Sequence, residues 1–255
     1  MELEGKYVYC VIATPQERSF RAPALGGGAG VFTCGCSDLS MVVSGCPVSR
    51  LAANRENMLA HQRVIEEVMG EFDSVLPVRF GTVASSVDEI RRLLAGRYGE
   101  FKTALREMDH KVELGVKGVW KNMDALFKEL VNGNKAIKQT RAAILRDRGR
   151  KNIRAKMEAG RLLADALAHR KEAETAHIVD ALRRTAVDHK RNKTAGDAMF
   201  MNAAFLVDKG RGKEFDNIMD ELSETHKDRI EFAYAGPLPV FNFVDLAIYP
   251  EEWEK

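Results

Sequence analysis

His110-Lys111-Val112-Glu113-Leu114-Gly115-Val116-Lys117-Gly118-Val119 decides the fold class. Val112, Leu114 and Val116 alternate with Lys111, Glu113 and Lys117, a period of two that predicts a β-strand with one buried and one wet face. Next, Met123, Leu126, Phe127 and Leu130 recur at helical spacing, so a helix follows and ends at Gly133. Further on, Ala198 to Val207 is apolar on both faces, which predicts a central strand. Phe215, Ile218, Met219 and Leu222 then mark an amphipathic helix, and Ile230, Phe232 and Tyr234 alternate with polar neighbours. Gly236-Pro237-Leu238-Pro239 is not expected to continue a central strand, which leaves Val240 to Ile248 as an extended segment packed across the domain.

The order β-α-(basic helices)-β-α-β predicts a modified ferredoxin-like domain over residues 109–255, with one strand lost or replaced. The helical insertion covers about 135–193. Those residues hold 17 Lys or Arg and 7 Asp or Glu, a local net charge of +10, so the rest of the chain carries −8 of the overall +2. The insertion has no Pro, Phe, Tyr or Trp. Ile153, Met157, Leu163 and Leu167, then Ile178, Leu182 and Ala186, keep a helical stripe through it. A single helix of about 50 residues would reach roughly 75 Å, so a fold-back near 170–176 is expected.

Working back from 110, residues 1–108 read as a small mixed sheet with helices. Lys6 to Ala13 is apolar on both faces, as in a covered central strand; Val31 to Cys36 and Leu39 to Ser44, broken at Ser37-Asp38, suggest a hairpin. Met58, His61, Ile65, Val68 and Phe72 lie on one face of a helix over 54–72. Leu76 to Thr82 reads as a short strand and turn, and Ser86-x-x-Glu89 as a capping box opening a helical stretch towards Leu105. The fold class is therefore α+β in two domains.

Composition narrows the function. The 255 residues are 45% hydrophobic and 30% charged, with 7 Pro and 20 Gly, values that exclude a disordered or collagen-like chain. No run of 18 apolar residues occurs, and Met1-Glu2-Leu3-Glu4 has acids where a signal peptide needs bases, so a cytosolic protein with reduced thiols is expected.

Motifs for chemistry are weak. Cys34, Cys36, Cys46 and His61 are zinc-ligand types, but Cys34 and Cys36 lack the spacing of a knuckle, and small buried residues in a sheet are the better reading. His61 on an apolar helix face reads as a satisfied core histidine. Gly26-Gly27-Gly28-Ala29-Gly30 lacks the Lys-Ser/Thr of a P-loop and precedes a strand, so it reads as a flexible loop. Neither a catalytic centre nor a metal or cofactor site is nominated. The +10 helices raise nucleic acid as an alternative partner, weakened by the absence of any aromatic to stack on a base and by interspersed acids.

Longer stretches are more specific. Lys6-Tyr7-Val8-Tyr9-Cys10-Val11-Ile12, then His61 followed by Val75-Leu76-Pro77-Val78-Arg79-Phe80-Gly81-Thr82-Val83, then Lys111 to Lys117, resemble the gas vesicle protein GvpF/GvpL family. Asn202-Ala203-Ala204-Phe205-Leu206-Val207 and Gly236-Pro237-Leu238-Pro239-Val240-Phe241-Asn242-Phe243-Val244 resemble its closing segments. The resemblance implies two α+β domains, the second modified ferredoxin-like. It also implies a non-enzymatic accessory or minor structural protein, which binds the small hydrophobic major shell protein and assists gas vesicle assembly. Its expected place is the cytoplasm and the gas vesicle, on the gas-facing side of the shell.

Within that frame the candidate partner-binding residues are Arg79 and Phe80 on the strand-turn, Phe241 and Phe243 on the tail, and Arg148, Arg150, Lys151 and Arg154 on the basic helices; core packing of Phe80, with Arg79 as its surface neighbour, and of the 236–244 tail is the alternative, and the favoured one. The arginines and lysine suit acidic segments of other gas vesicle accessory proteins.

Overall fold

The computed structural model describes residues 4–28, 30–47, 51–146, 153–246 and 248. Strand β1 (Glu4–Ile12) is apolar on both sides because both sides are covered. It pairs antiparallel with β4 (Leu39–Pro47), and the register slips between Val8 and Cys10. That bulge turns Tyr7, Tyr9, Cys10 and Ile12 to one face, while Val8 and Val11 face the other. The sheet has the order β2-β3-β4-β1-β5, with β2 (Ser19–Phe20), β3 (Val31–Cys36) and β5 (Val75–Pro77); β6 (Val83–Ala84) also pairs with β1. The expected hairpin is β3 against β4.

Helix α1 (Arg55–Glu71) opens where the Asn54 side chain accepts from the Asn57 N–H. It buries Val64, Ile65 and Val68 against the Tyr7 face, each worth about 1.5–3 kcal/mol. Helices α2 (Val87–Gly96) and α3 (Tyr98–Glu107) bury Ile90, Leu93, Leu94, Phe101 and Leu105 on the other face. The Ser86 cap forms, its Oγ accepting from the Glu89 N–H, while the Glu89 carboxylate reaches back one residue further than in a capping box and accepts from the Ser85 N–H. The glycine loop is held against the sheet rather than loose. Gly28 lies so close to β4 that a Cβ there would sit 2.0 Å from the Gly45 carbonyl oxygen.

The second sheet has the order β10-β7-β9-β8, from β7 (Lys111–Trp120), β8 (Asp188–Arg191), β9 (Met199–Asp208) and β10 (Ile230–Leu238). The Trp120 N–H donates to the Ala198 carbonyl and the Lys209 N–H to that of His110, so β7 and β9 run antiparallel. Helices α4 (Met123–Gly133), α5 (Lys135–Arg146) and α6 (Ile153–Leu182) lie between β7 and β8 in the chain, and α7 (Gly212–His226) between β9 and β10. The chain thus divides into two compact α+β units. One takes Met1–Leu114, Leu206–Gly210 and Gly236–Lys255, the other Gly115–Phe205 and Arg211–Ala235.

Four expectations are corrected. No strand is lost: β8 completes the β-α-β-β-α-β order, hidden in the sequence because Asp-His-Lys-Arg has no apolar alternation. His189 supplies its packing by stacking on Phe205 at 6.1 Å. There is no fold-back at 170–176; α6 runs unbroken to Leu182, with Leu167, Thr175, Ile178 and Val179 buried along it and α5 packed against it. Glu113 is not on a wet face but only 4% exposed. Finally, β10 continues through Pro237 to Leu238, which an edge strand tolerates, and Val240 begins a turn whose carbonyl accepts from the N–H groups of Phe243 and Val244.

Candidate functional site

The first unit gathers its conspicuous side chains around His61. The β1 bulge brings Tyr7 and Tyr9 to the α1 face, and the α1 stripe delivers His61 between them. The turn after β5 is pinned by the Val78 N–H donating to the Tyr9 carbonyl and by Thr82 Oγ1 donating to the Arg79 carbonyl. Gly81 has φ +89°, and its N–H donates to the Tyr7 hydroxyl at 3.0 Å.

Polar satisfaction fixes the protonation pattern. His61 Nε2 lies 3.1 Å from the Val78 carbonyl, which can only accept, so Nε2 carries the proton. Nδ1, 3.0 Å from the Tyr7 hydroxyl, then accepts from it. Burial pushes the imidazole pKa down to about 4, opposed by the hydrogen bond to Val78, so the ring is neutral at pH 7. Burial also raises both tyrosine pKa values. Tyr9 Oη accepts from the Leu25 N–H and shares a hydrogen bond with Ser44 Oγ. Both nitrogens of His61 are committed to protein partners, so its role here is structural.

On this base sits an apolar surface. Phe80 is half-buried, its ring 5.8 Å from His61 and 6.1 Å from Tyr7. Phe241, 38% exposed, lies 6.1 Å from His61. Arg79 forms an exposed ion pair with Asp245 at the rim. The tail that carries Phe241 is held by Glu113, whose carboxylate accepts from the Asn242 N–H and side-chain amide. Leu246 plugs the α2–α3 side of the core. Three of the candidate residues, Arg79, Phe80 and Phe241, are therefore brought together. Phe243 follows on the same turn, half-buried, and Arg154 is exposed in the first turn of α6. Arg148, Arg150 and Lys151 lie outside the described residues.

Sequence reasoning missed Met58 and the Glu113–Asn242 clamp. Met58 belongs to the α1 apolar stripe but is 52% exposed, one turn before His61. The cysteines do not converge on a metal. Cys34 packs on one face of the sheet, while Cys10 and Cys46 pack on the other with His61's helix. Among the described residues no group of three or more His, Cys, Asp or Glu could hold a metal ion, and no helix is long and apolar enough to cross a membrane.

Comparisons extend the picture to the whole chain. The family model described as "Gas vesicle synthesis protein GvpL/GvpF" matches residues 5–245. A gas vesicle protein F of Streptomyces sp. (strain CB03234) is 29% identical over 207 residues, covering 81% of this chain and 84% of that protein. Gas vesicle protein F1 of Halobacterium salinarum is 24% identical over 251 residues, 98% and 97% of the two chains. The crystal structure of GvpF from Anabaena sp. PCC7120 superposes with a TM-score of 0.83 at 20% identity, over 96% of this chain and 100% of that one, and shares the fold.

Proposed function

Because the chain belongs to the gas vesicle synthesis protein GvpL/GvpF family, we propose that it is a non-enzymatic accessory or minor structural protein that binds the major gas vesicle shell protein and assists its assembly. The observation that carries this reading is the Phe241 ring, exposed at the surface yet backed by the buried His61 ring, which Phe80 also contacts. Rigid aromatic side chains bind apolar partners at low entropic cost, and Arg79 at the rim supplies a polar edge. A small hydrophobic shell subunit needs its apolar surface covered until it joins the growing shell, and Met58, Phe80, Phe241 and Phe243 are the proposed cover.

The basic helices, with Arg148, Arg150, Lys151 and Arg154, are the proposed contact for acidic segments of other gas vesicle accessory proteins. The proposed location is the cytoplasm and the gas-facing side of the shell. Deletion of the gene from a vesicle-forming host tests the assembly role: loss or malformation of vesicles is expected, and normal vesicles in normal number would sink it.

A further inference from the structure

Helix α6 carries an apolar face that, among the described residues, nothing in its own unit covers. Ile153 and Met157 are 69% and 70% exposed, and Gly160, Ala164 and Ala168 continue the same side, exposed as well. At 100° per residue these five positions fall in one stripe about 22 Å long. Ala155, Ala159, Leu162 and Ala166 are half-buried on the opposite side, and α5 packs against α6. The stripe therefore points away from α5. Its other end borders a groove of about 340 Å³ lined by Phe127, Gly160, Leu163, Ala164, Leu167 and Ala168, with Lys171 and Asp197 at the rim. Two large apolar side chains thus stand at one end of the face, and an apolar recess lies two to four turns along it.

Charge follows the same polarity. Over 153–161, Arg154, Lys156 and Arg161 outnumber Glu158; over 162–182, Asp165, Glu172, Glu174 and Asp180 outnumber Arg170 and Lys171. A second α6 laid parallel would put base against base. Laid antiparallel with Gly160 at the crossing, it puts Ile153 of one copy opposite Leu167 and Ala168 of the other, at the groove. The same arrangement sets Arg154 beside Asp165. A surface that meets its own copy in this way, knob to recess and base to acid, is self-complementary about a two-fold axis.

We propose that the occupant of this face is a second copy of the chain, joined through an antiparallel α6–α6 contact in a two-fold symmetric dimer. The contact is small, one helix face of four to five turns, so the dimer is a weak and reversible one. It takes Arg154 out of the surface assigned to accessory proteins. The inference does not rest on shell-protein binding.

Sedimentation velocity of the full chain over a range of concentrations tests it. The expected result is a monomer–dimer equilibrium. Ile153→Asp and Met157→Asp, both at highly exposed positions, should each weaken it about tenfold or more without moving the thermal midpoint. Arg154→Glu should weaken it, and Arg154→Glu with Asp165→Arg should restore it. Gly160→Cys places a thiol at the proposed axis, where a new Cβ meets open space beyond its own stretch of helix. Mild oxidation should then give a covalent dimer that the wild type does not form. A monomer at every concentration, a dimer indifferent to Met157→Asp, or no cross-link through Gly160→Cys overturns the proposal.

Discussion

The Glu113 carboxylate takes two hydrogen bonds from a single residue, Asn242: the backbone N–H at 2.9 Å and the side-chain amide at 2.6 Å. The two residues are 129 positions apart, and their contact ties the turn after β10 to the first residues of β7. It fixes where Phe241, one residue earlier, presents its ring. A buried acid on a strand that alternates like a half-wet one is thus the anchor of the candidate site.

Removing that anchor is expected to cost more than its exposed appearance in the sequence suggests. Glu113→Ala leaves two donors of Asn242 without their acceptor and should lower unfolding free energy by about 2–3 kcal/mol in urea titration. Glu113→Gln keeps one acceptor oxygen and should lose less. Equal stability of the alanine variant and the wild type would remove the clamp from this account.

The buried imidazole gives the protein an acid-side weakness. The His61 pKa is about 4 in the folded chain against an ordinary 6.5, so below pH 6.5 the unfolded chain binds the extra proton first. Stability from this group is complete above pH 6.5, falls as pH drops towards 4, and changes no further below that. Between pH 7.5 and pH 5 the expected loss is about 2 kcal/mol. His61→Gln, which does not titrate, should flatten that part of the profile, and an unchanged slope would contradict the assignment.

Gly28 is expected to resist any side chain. A Cβ would press on the backbone oxygen of Gly45, which cannot rotate away, so Gly28→Ala should destabilise by about 2 kcal/mol or more by thermal or urea unfolding. A neutral effect would mean that the glycine loop is as loose as its sequence suggests.

Much of the fold is legible where a periodic pattern coincides with a covered surface. The doubly apolar run of β1, the α1 stripe through Ile65 and Val68, and the Ser86 cap each follow from local rules that the tertiary structure respects. The failures come where packing overrides pattern. β8 has no pattern to read, since Asp188 to Arg191 earns its place by pairing at the sheet edge and by one ring contact. Glu113 reads as wet because alternation shows which residues are polar, not whether a distant amide will satisfy them in the interior. The fold-back expected at 170–176 does not occur because the stripe says nothing about where a helix ends, and residues 170–176 contain no Gly or Pro to break α6.

The candidate site divides in the same way. Arg79, Phe80 and Phe241 stand out as residues near Pro and Gly interruptions, and the turns that these make do bring them together. Met58 looks like core in a helical wheel, because a wheel shows which side of a helix is apolar and not how much of that side is covered.

Capture of the major shell protein is the most direct measurement of the central claim. The full chain, tagged and co-expressed with the shell protein, should retain it, and Phe241→Asp should lose most of that capture while keeping the wild-type thermal midpoint. Retention of the shell protein by neither form, or equal retention by both, would contradict the assignment of this surface.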